Sequence, residues 1–193
     1  MWWQSAWMPL YPCVTIDTAR LQLRLWREAD RNAFAALNAD PEVMRYLGGP
    51  LDREESDDRV DTYLDCFRTQ GFCRWAVTTC QGDFIGSVGV MAWPADGEPL
   101  GAHVEIGWRL VRTAWGKGYA TEAARASLHD VFTRAGLREV LACTDRRNLP
   151  SQAVMARLKL ERDSARDFIR DDTQGVREFW VWIARPEMLR DDR

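Results

Sequence analysis

The segment His103–Ala124, HVEIGWRLVRTAWGKGYATEAA, decides the fold. Its first part alternates: Val104, Ile106, Trp108 and Leu110 fall on one face of an extended chain, and His103, Glu105, Gly107 and Arg109 on the other. This is the period-2 signature of a half-buried strand. The pattern breaks at Gly116-Lys117-Gly118. From there Ala120, Ala123, Ala124, Leu128, Val131 and Phe132 recur at helical spacing, with Gly136 where a stop is expected. A strand, a glycine turn and a helix in that order make an anion site. The glycines allow a tight turn, and the unpaired N–H groups of the first helical turn point outward with the positive end of the helix dipole behind them. A pyrophosphate fits there, and Lys117 adds a point charge. Taken alone the hexapeptide is weak evidence, because a Gly-rich turn before a helix is more often only a turn.

Upstream, Cys73–Thr79 and Phe84–Trp93 are strand candidates. The turn signals Gln81-Gly82-Asp83 and Pro94-Ala95-Asp96-Gly97 join them to His103–Val111 as an antiparallel meander. Earlier, Arg20–Arg27 alternates Leu21, Leu23 and Leu25 with Gln22, Arg24 and Trp26. A helix carrying Ala29, Ala33, Ala36 and Leu37 then stops near Asp40-Pro41, since the residue before proline disfavours the helical region. A second helix opens at Asp52, where Glu55 completes a capping box and Val60, Tyr63, Leu64 and Phe67 supply the apolar face. Its charged start, Asp52 to Arg59, is a solvated first turn. Downstream come a buried strand at Arg138–Cys143, a helix after Asn148 and Pro150, and two late strands near Glu161–Ile169 and Val176–Arg185. The order predicts a mixed α+β fold of the α/β type. Its central sheet is mixed and mostly antiparallel, of about six to seven strands, with about four helices over both faces. No repeat or linker divides the chain, so residues 18–185 are expected to form one domain, between an N-terminal extension (1–17) and a tail (186–193).

The 193 residues are 46% hydrophobic and 28% charged, which suits a globular chain with a substantial core. Lys+Arg (26) against Asp+Glu (29) leaves a net charge of -3, without the basic excess a nucleic-acid partner requires. Cys13, Cys66, Cys73, Cys80 and Cys143 include no C-x-x-C pair, and His103 and His129 are the only histidines. Neither a metal site nor a disulfide scaffold is expected. Met1–Val14 lacks a basic leader and is broken by Pro9 and Pro12, so it does not read as a signal peptide. No segment approaches the roughly 18 apolar residues of a membrane span. The expected setting is the reducing cytoplasm, away from membranes.

Several spaced motifs share one resemblance. Trp115-Gly116-Lys117-Gly118-Tyr119-Ala120 resembles the Q/R-x-x-G-x-G/A pyrophosphate loop of the GCN5-related N-acetyltransferase (GNAT) superfamily. Val104-Glu105-Ile106-Gly107-Trp108, Thr121-Glu122-Ala123 and Asp40 to Leu47 look like the RimJ/RimL-like branch, which acetylates ribosomal-protein N-termini. Asn148-Leu149-Pro150-Ser151, ending at Leu158-Lys159-Leu160, is similar to the family's N-x-x-A/S helix with its terminal L-G-F. The resemblance covers about residues 18 to 185. It implies acetyl-CoA as co-substrate, inserted where the third meander strand splays from the strand after the long helix. By position, Leu110 and Arg112 would offer backbone groups to the pantetheine. Trp115, Gly116, Lys117, Gly118, Tyr119 and Ala120 would hold the pyrophosphate, and Asn148 and Ser151 would flank the thioester arm. There are departures. Trp115 replaces Gln or Arg, leaving the phosphates to backbone N–H groups and Lys117. Met155 stands where many members place a Tyr that protonates the departing thiolate. Lys159-Leu160 replaces Gly-Phe, which implies a locally different helix end.

The reaction dictates the remaining candidates. An amine of pKa near 10 must lose a proton before it attacks a thioester. Glu105 is the candidate base, acting directly or through water, with Gly107 leaving open space beside it; the structural alternative is an ion pair with Arg109 or Arg74. His103 shares that face and could replace Glu105. Ser151, one helical turn before Met155, could stabilise the thiolate. Cys143 ends a buried strand and reads as inert, so direct transfer in a ternary complex is expected. Tyr119 reads as adjacent to the phosphates, and Glu122 as a structural acid compensating the helix dipole. Trp26, Trp75, Trp108, Trp180 and Trp182 read as core or sheet-face residues. Trp2, Trp3 and Trp7 would cover the acceptor site or form a subunit contact, as in a homodimer. The resemblance places the acceptor, a small-molecule amine or a protein N-terminus, between Gly48–Asp52 and the connection of the last two strands, where Asp167, Asp171 and Asp172 cluster near Arg166 and Arg170; these acids would attract a cation, and a solvated charged hairpin is the simpler alternative. The competing class is a noncatalytic acyl-CoA-binding or sensor module. A nucleotide-binding protein is the weaker reading, because no G-x-x-x-x-G-K-[ST] sequence is present.

Overall fold

The computed structural model describes residues 15–172 and 175–189; Trp2, Trp3 and Trp7 lie outside them. The elements are β1 (Thr15–Asp17), β2 (Leu21–Arg24), α1 (Arg31–Ala39), α2 (Pro41–Met44), α3 (Arg53–Gln70), β3 (Arg74–Thr79), β4 (Phe84–Trp93) and β5 (His103–Leu110). There follow α4 (Tyr119–Thr133), β6 (Val140–Asp145), α5 (Leu149–Arg157), β7 (Glu161–Arg162), β8 (Phe168–Asp172) and β9 (Gly175–Ala184). One sheet of nine strands runs β1-β2-β3-β4-β5-β6-β9-β7, with β8 also pairing β9. Every pairing is antiparallel except β5 with β6.

The sheet exceeds the expected six to seven strands for two local reasons. β1 has three residues, too few to show a period. The single strand expected over Glu161–Ile169 divides into β7 and β8, because the Asp163 side chain accepts from Ala165 N–H and folds Ser164–Arg166 into a 3-10 turn. The fifth helix, α2, is one turn in which Asp40 both ends α1 and caps the next helix through Glu42 N–H, with Pro41 at the first position. At α3 the capping box forms as the sequence predicts: Glu55 N–H donates to Asp52 Oδ1 at 2.9 Å and Asp52 N–H to Glu55 Oε2 at 2.8 Å.

Helices cover both faces. On one, Ala123, Ala124, Leu128 and Val131 of α4 and Val154, Met155 and Leu158 of α5 pack on Trp75, Val77, Val88, Val90, Ile106 and Leu110. On the other, Phe34 and Leu37 of α1 and Val60 and Tyr63 of α3 enclose Trp26, Ala76 and Met91. Alternation along β5 therefore sends Val104, Ile106, Trp108 and Leu110 toward α4, and His103, Glu105, Gly107 and Arg109 toward the α1–α3 side. The end of α5 corrects one expectation. Lys159 adopts φ 58°. Leu160 N–H donates to Met155 O and Lys159 N–H to Ala156 O, each at 3.0 Å. That is the left-handed closure a glycine makes, here carried by a lysine.

Candidate active site

β4 and β5 are paired in register over eight positions, whereas β5 and β6 share only Glu105–Leu141. Beyond that pair the two parallel strands separate, and residues 106–110 of β5 have no strand partner on the β6 side among the described residues. A narrow substrate arm inserted there meets an open backbone edge. At the same end of β5 begins α4. Its N-cap, Gly118, has φ 79°, and no side chain among the described residues caps the helix. Gly116, at φ 72°, has nothing within 4 Å of where a Cβ would stand. Unclaimed N–H groups, open space and a helix start satisfy the requirements of a phosphate site.

The turn is braced from behind. Arg20 Nη1–H donates to Lys117 O at 2.9 Å, while Arg20 Nε–H and N–H donate to the two Glu122 carboxylate oxygens at 2.7 and 2.9 Å. Thr18 Oγ1–H adds a bond of 2.7 Å to the same carboxylate. Burial works to raise the Glu122 carboxyl, but these donors outweigh it and hold it below the usual range. The Arg20 guanidinium also lies 4.8 Å over the Tyr119 ring. Glu122 is thus the structural acid its position suggests. Trp115 replaces the expected Gln or Arg in another capacity: its indole N–H donates to Leu110 O at 2.8 Å, pinning the turn to the strand end. Of the backbone groups offered to a pantetheine, Leu110 O is therefore already engaged, as is Arg112 O, which accepts from Trp115 N–H at 3.0 Å. Lys117 is exposed, and Ala120 lies in the first turn of α4. Beside the turn a groove of about 570 Å³ is lined by Arg20, Gly118, Thr121, Arg125, His129 and Arg157 among others.

Across the splay, Asn148 caps α5, accepting from Ser151 N–H at 3.2 Å and donating to Thr144 Oγ1 at 3.0 Å. Ser151 and Met155 share one face of α5, and Met155 is buried in the core below it.

Glu105 sits where the strands part. Its Oε1 is 3.4 Å from Arg74 Nη2 and its Oε2 is 3.8 Å from His103 Nε2, a distance of electrostatic attraction rather than hydrogen bonding. His103 Nδ1 lies 2.8 Å from Gly101 O. The Glu105 carboxylate, with help from that carbonyl, outweighs burial and raises the imidazole above its ordinary value. Cys143 shares the face, and burial, reinforced by Glu105, pushes its thiol far up, so it is not a thiolate at neutral pH. The open space expected beside Gly107 is filled. Arg74, Gly89 and Gly107 are in register across three strands, and a Cβ on Gly107 would stand 1.7 Å from Arg74 Nη1. The two glycines form a floor on which the Arg74 side chain crosses the sheet to Glu105. Of the two predicted ion-pair partners, Arg74 is the one found; Arg109 instead donates to Asn38 Oδ1. Sequence reasoning missed Arg20 and the crossing by Arg74; glycines inside strand patterns were the available sign of a close approach.

Of the acidic loop expected to draw a cationic acceptor, Asp167 is committed elsewhere. Asp167 pairs with Arg162 at 2.5 Å and accepts from Val181 N–H, while Arg170 pairs with Glu98 at 3.1 Å. Asp171 is exposed, and the Asp172 side chain lies outside the described residues.

A splayed parallel pair beside a helix start with no side-chain cap suits a substrate that carries a phosphate group on a narrow arm. Residues 20–161 match the family described as Acetyltransferase (GNAT) domain, and the chain belongs to it. The FsC-acetyl coenzyme A-N(2)-transacetylase of Aspergillus fumigatus is 32% identical over 195 residues, covering 91% of this chain and 82% of that protein. The acetyltransferase structure from Agrobacterium tumefaciens has 27% identity and a TM-score of 0.76, covering 90% of this chain and 95% of that one. Mycobacterium smegmatis RimJ in complex with CoA-disulfide shares the fold at 17% identity and a TM-score of 0.69, covering 88% and 84%. The protein is accordingly an acetyltransferase enzyme of a family that uses acetyl-CoA, with RimJ among its structural neighbours.

Proposed function

We propose that this enzyme transfers the acetyl group of acetyl-CoA to a primary amine by direct attack within a ternary complex. The observation carrying this reading is the position of Glu105 at the single β5–β6 pair, on the face opposite α4. A thioester entering the splay from the α4 end comes to rest beside this carboxylate. The pyrophosphate lies on the N–H groups of residues 116–120, with Arg125 and Arg157 along the adjoining groove. Glu105 takes the proton of the acceptor ammonium; the nitrogen lone pair forms the C–N bond and the C–S bond breaks. The departing thiolate, of intrinsic pKa about 8.5, takes a proton from solvent with the Ser151 hydroxyl as hydrogen-bond donor, since Met155 has no proton to give. The raised thiol of Cys143 disfavours an acetyl-cysteine intermediate. The free thiols Cys66, Cys73, Cys80 and Cys143 suit a cytoplasmic setting.

Initial rates measured against both substrates test the ternary complex. Intersecting double-reciprocal lines, and no acetyl label on Cys143 after incubation with acetyl-CoA alone, are the expected results. Parallel lines with labelled Cys143 would replace direct attack by a covalent route.

A further inference from the structure

The α1–α3 face of β5 holds an excess of positive charge beside Glu105. Arg109 donates one amino group to the neutral Asn38 side chain and lies 5.9 Å from the Phe34 ring, while its Nε–H has no acceptor among the described residues. Asn38 is fixed in turn, donating to Ser56 Oγ at 2.8 Å. Ser87, the cross-strand neighbour of Arg109, is buried with its hydroxyl also unpartnered among the described residues. Burial, opposed by Tyr63 and helped by the positive charges of Arg59 and Arg74, lowers Arg109 to about 10. It stays charged at neutral pH. Neither Arg109 nor Arg59 has a carboxylate within ion-pair distance among the described residues, and Arg74 reaches only Glu105, at 3.4 Å. On this face of the sheet Arg74 and Arg109 thus have one carboxylate between them. A fold that uses paired charges elsewhere, as in Arg24–Asp30 at 2.7 Å, leaves this cluster short of anions.

We infer that Arg74 and Arg109 form an anion subsite of the acceptor pocket, selecting amines that also carry a carboxylate. This rests on the amine-acetyltransferase reading and names its substrate class: amino acids or peptide-like molecules rather than polycations. Glu105 receives the ammonium end. Arg74, lying over the Gly89–Gly107 floor, takes the acid nearest to it, and Arg109 extends the site along the strand. Between the Cα atoms of Glu105 and Arg109 an extended strand spans about 13 Å, which the long arginine side chains shorten. The planar forks suit carboxylate recognition, and charge-assisted bonds in a partly closed site are strong enough to discriminate.

The test is a panel of amines in matched pairs, each an amino acid and its carboxamide, with acetyl-CoA saturating. The acid is expected to have the higher kcat/KM by roughly tenfold or more, the effect of one charged hydrogen bond. In Arg109→Gln and Arg74→Gln that ratio should fall toward one, with Arg109→Lys recovering part of it and the KM for acetyl-CoA unmoved. Turnover with equal kcat/KM for acid and amide would overturn the subsite and leave acetyl transfer standing. Absence of turnover with every amine would overturn the transfer reading instead. Calorimetry of the wild-type protein with CoA then decides the subsite without catalysis: an N-acetyl amino acid binding at least tenfold tighter than its amide supports it, and equal binding refutes it. The same titration settles the matter if the glutamine variants do not fold.

Discussion

Lys159 has the only positive φ of any non-glycine among the described residues, 58°, and it closes the helix that carries Asn148 and Ser151. A side chain in this left-handed well costs about 1–2 kcal/mol, because its Cβ crowds the following carbonyl oxygen. Glycine removes that crowding and keeps the paired bonds from Leu160 to Met155 and from Lys159 to Ala156, since both use only backbone. The glycine also gives the unfolded chain more freedom, about 0.4–1 kcal/mol in the opposite sense. Lys159→Gly should therefore be more stable than Lys159→Ala by roughly 0.5 kcal/mol and by no more than about 1.5. For a chain of this size that corresponds to about 1–2 °C in Tm, and to no more than about 6 °C. Lys159→Ala is the control. It removes the lysine side chain but retains the positive φ, so it should not stabilise. Urea denaturation followed by far-ultraviolet dichroism would show the glycine variant with a higher midpoint and an unchanged slope. A glycine variant no more stable than the alanine variant would refute the argument, because the strain would then not lie in the backbone.

Three other predictions follow from the site and its supports. Gly118→Asp puts a carboxylate and a Cβ at the uncapped start of α4, and calorimetric titration of the folded variant should show CoA binding weakened by roughly 30- to 150-fold, about 2–3 kcal/mol; unchanged affinity would remove the turn from the binding site. Glu105→Gln cannot accept a proton, so kcat/KM at pH 7 should fall by roughly 10²–10⁴ and recover as pH approaches the amine pKa near 10, whereas a wild-type pH–rate profile would leave His103 or water as the base. Asp30 is buried, which raises its carboxyl, yet the Arg24 hydrogen bonds and the Arg27 N–H outweigh burial and hold it below the ordinary 3.8. Its stabilising contribution is then complete above about pH 4–5 and is lost as pH falls through the lower folded-state value, so Asp30→Asn should flatten the acid limb of Tm against pH; parallel limbs in variant and wild type would contradict this.

Elements set by local chemistry were legible in the sequence. The capping box at Asp52, the meander and the glycine turn before α4 each rest on side chains within a few residues of one another. The extent of the sheet was less so, because β1 is too short for a period and the break between β7 and β8 depends on one Asp163 side chain. The site divides the same way. Alternation alone puts Glu105, Gly107 and Arg109 on one face, and their position within β5 is visible in the sequence. What fills that face is not. Arg74 reaches Glu105 only because Gly89 and Gly107 fall into register with it across two strand pairings, and register is a property of the assembled sheet. Asn38 holds Arg109 from a helix 71 residues away in sequence.

The phosphate turn shows why its sequence can depart from the family pattern without losing its geometry. A loop that binds through backbone N–H groups needs those groups unclaimed and fixed in direction. Fixing comes from two side-chain donors aimed at carbonyl oxygens: the loop's own Trp115 indole on Leu110 O before the turn, and Arg20, from outside it, on Lys117 O within it. Both use acceptors and leave the N–H donors of the turn free. Glu122 then orients Arg20 by taking its Nε–H and backbone N–H, so an acid in the first turn of α4 tethers the N-terminal strands to the phosphate loop. The position that holds Gln or Arg in the general pattern can thus carry Trp, because its indole acts on the loop's supports and leaves charge recognition to the backbone.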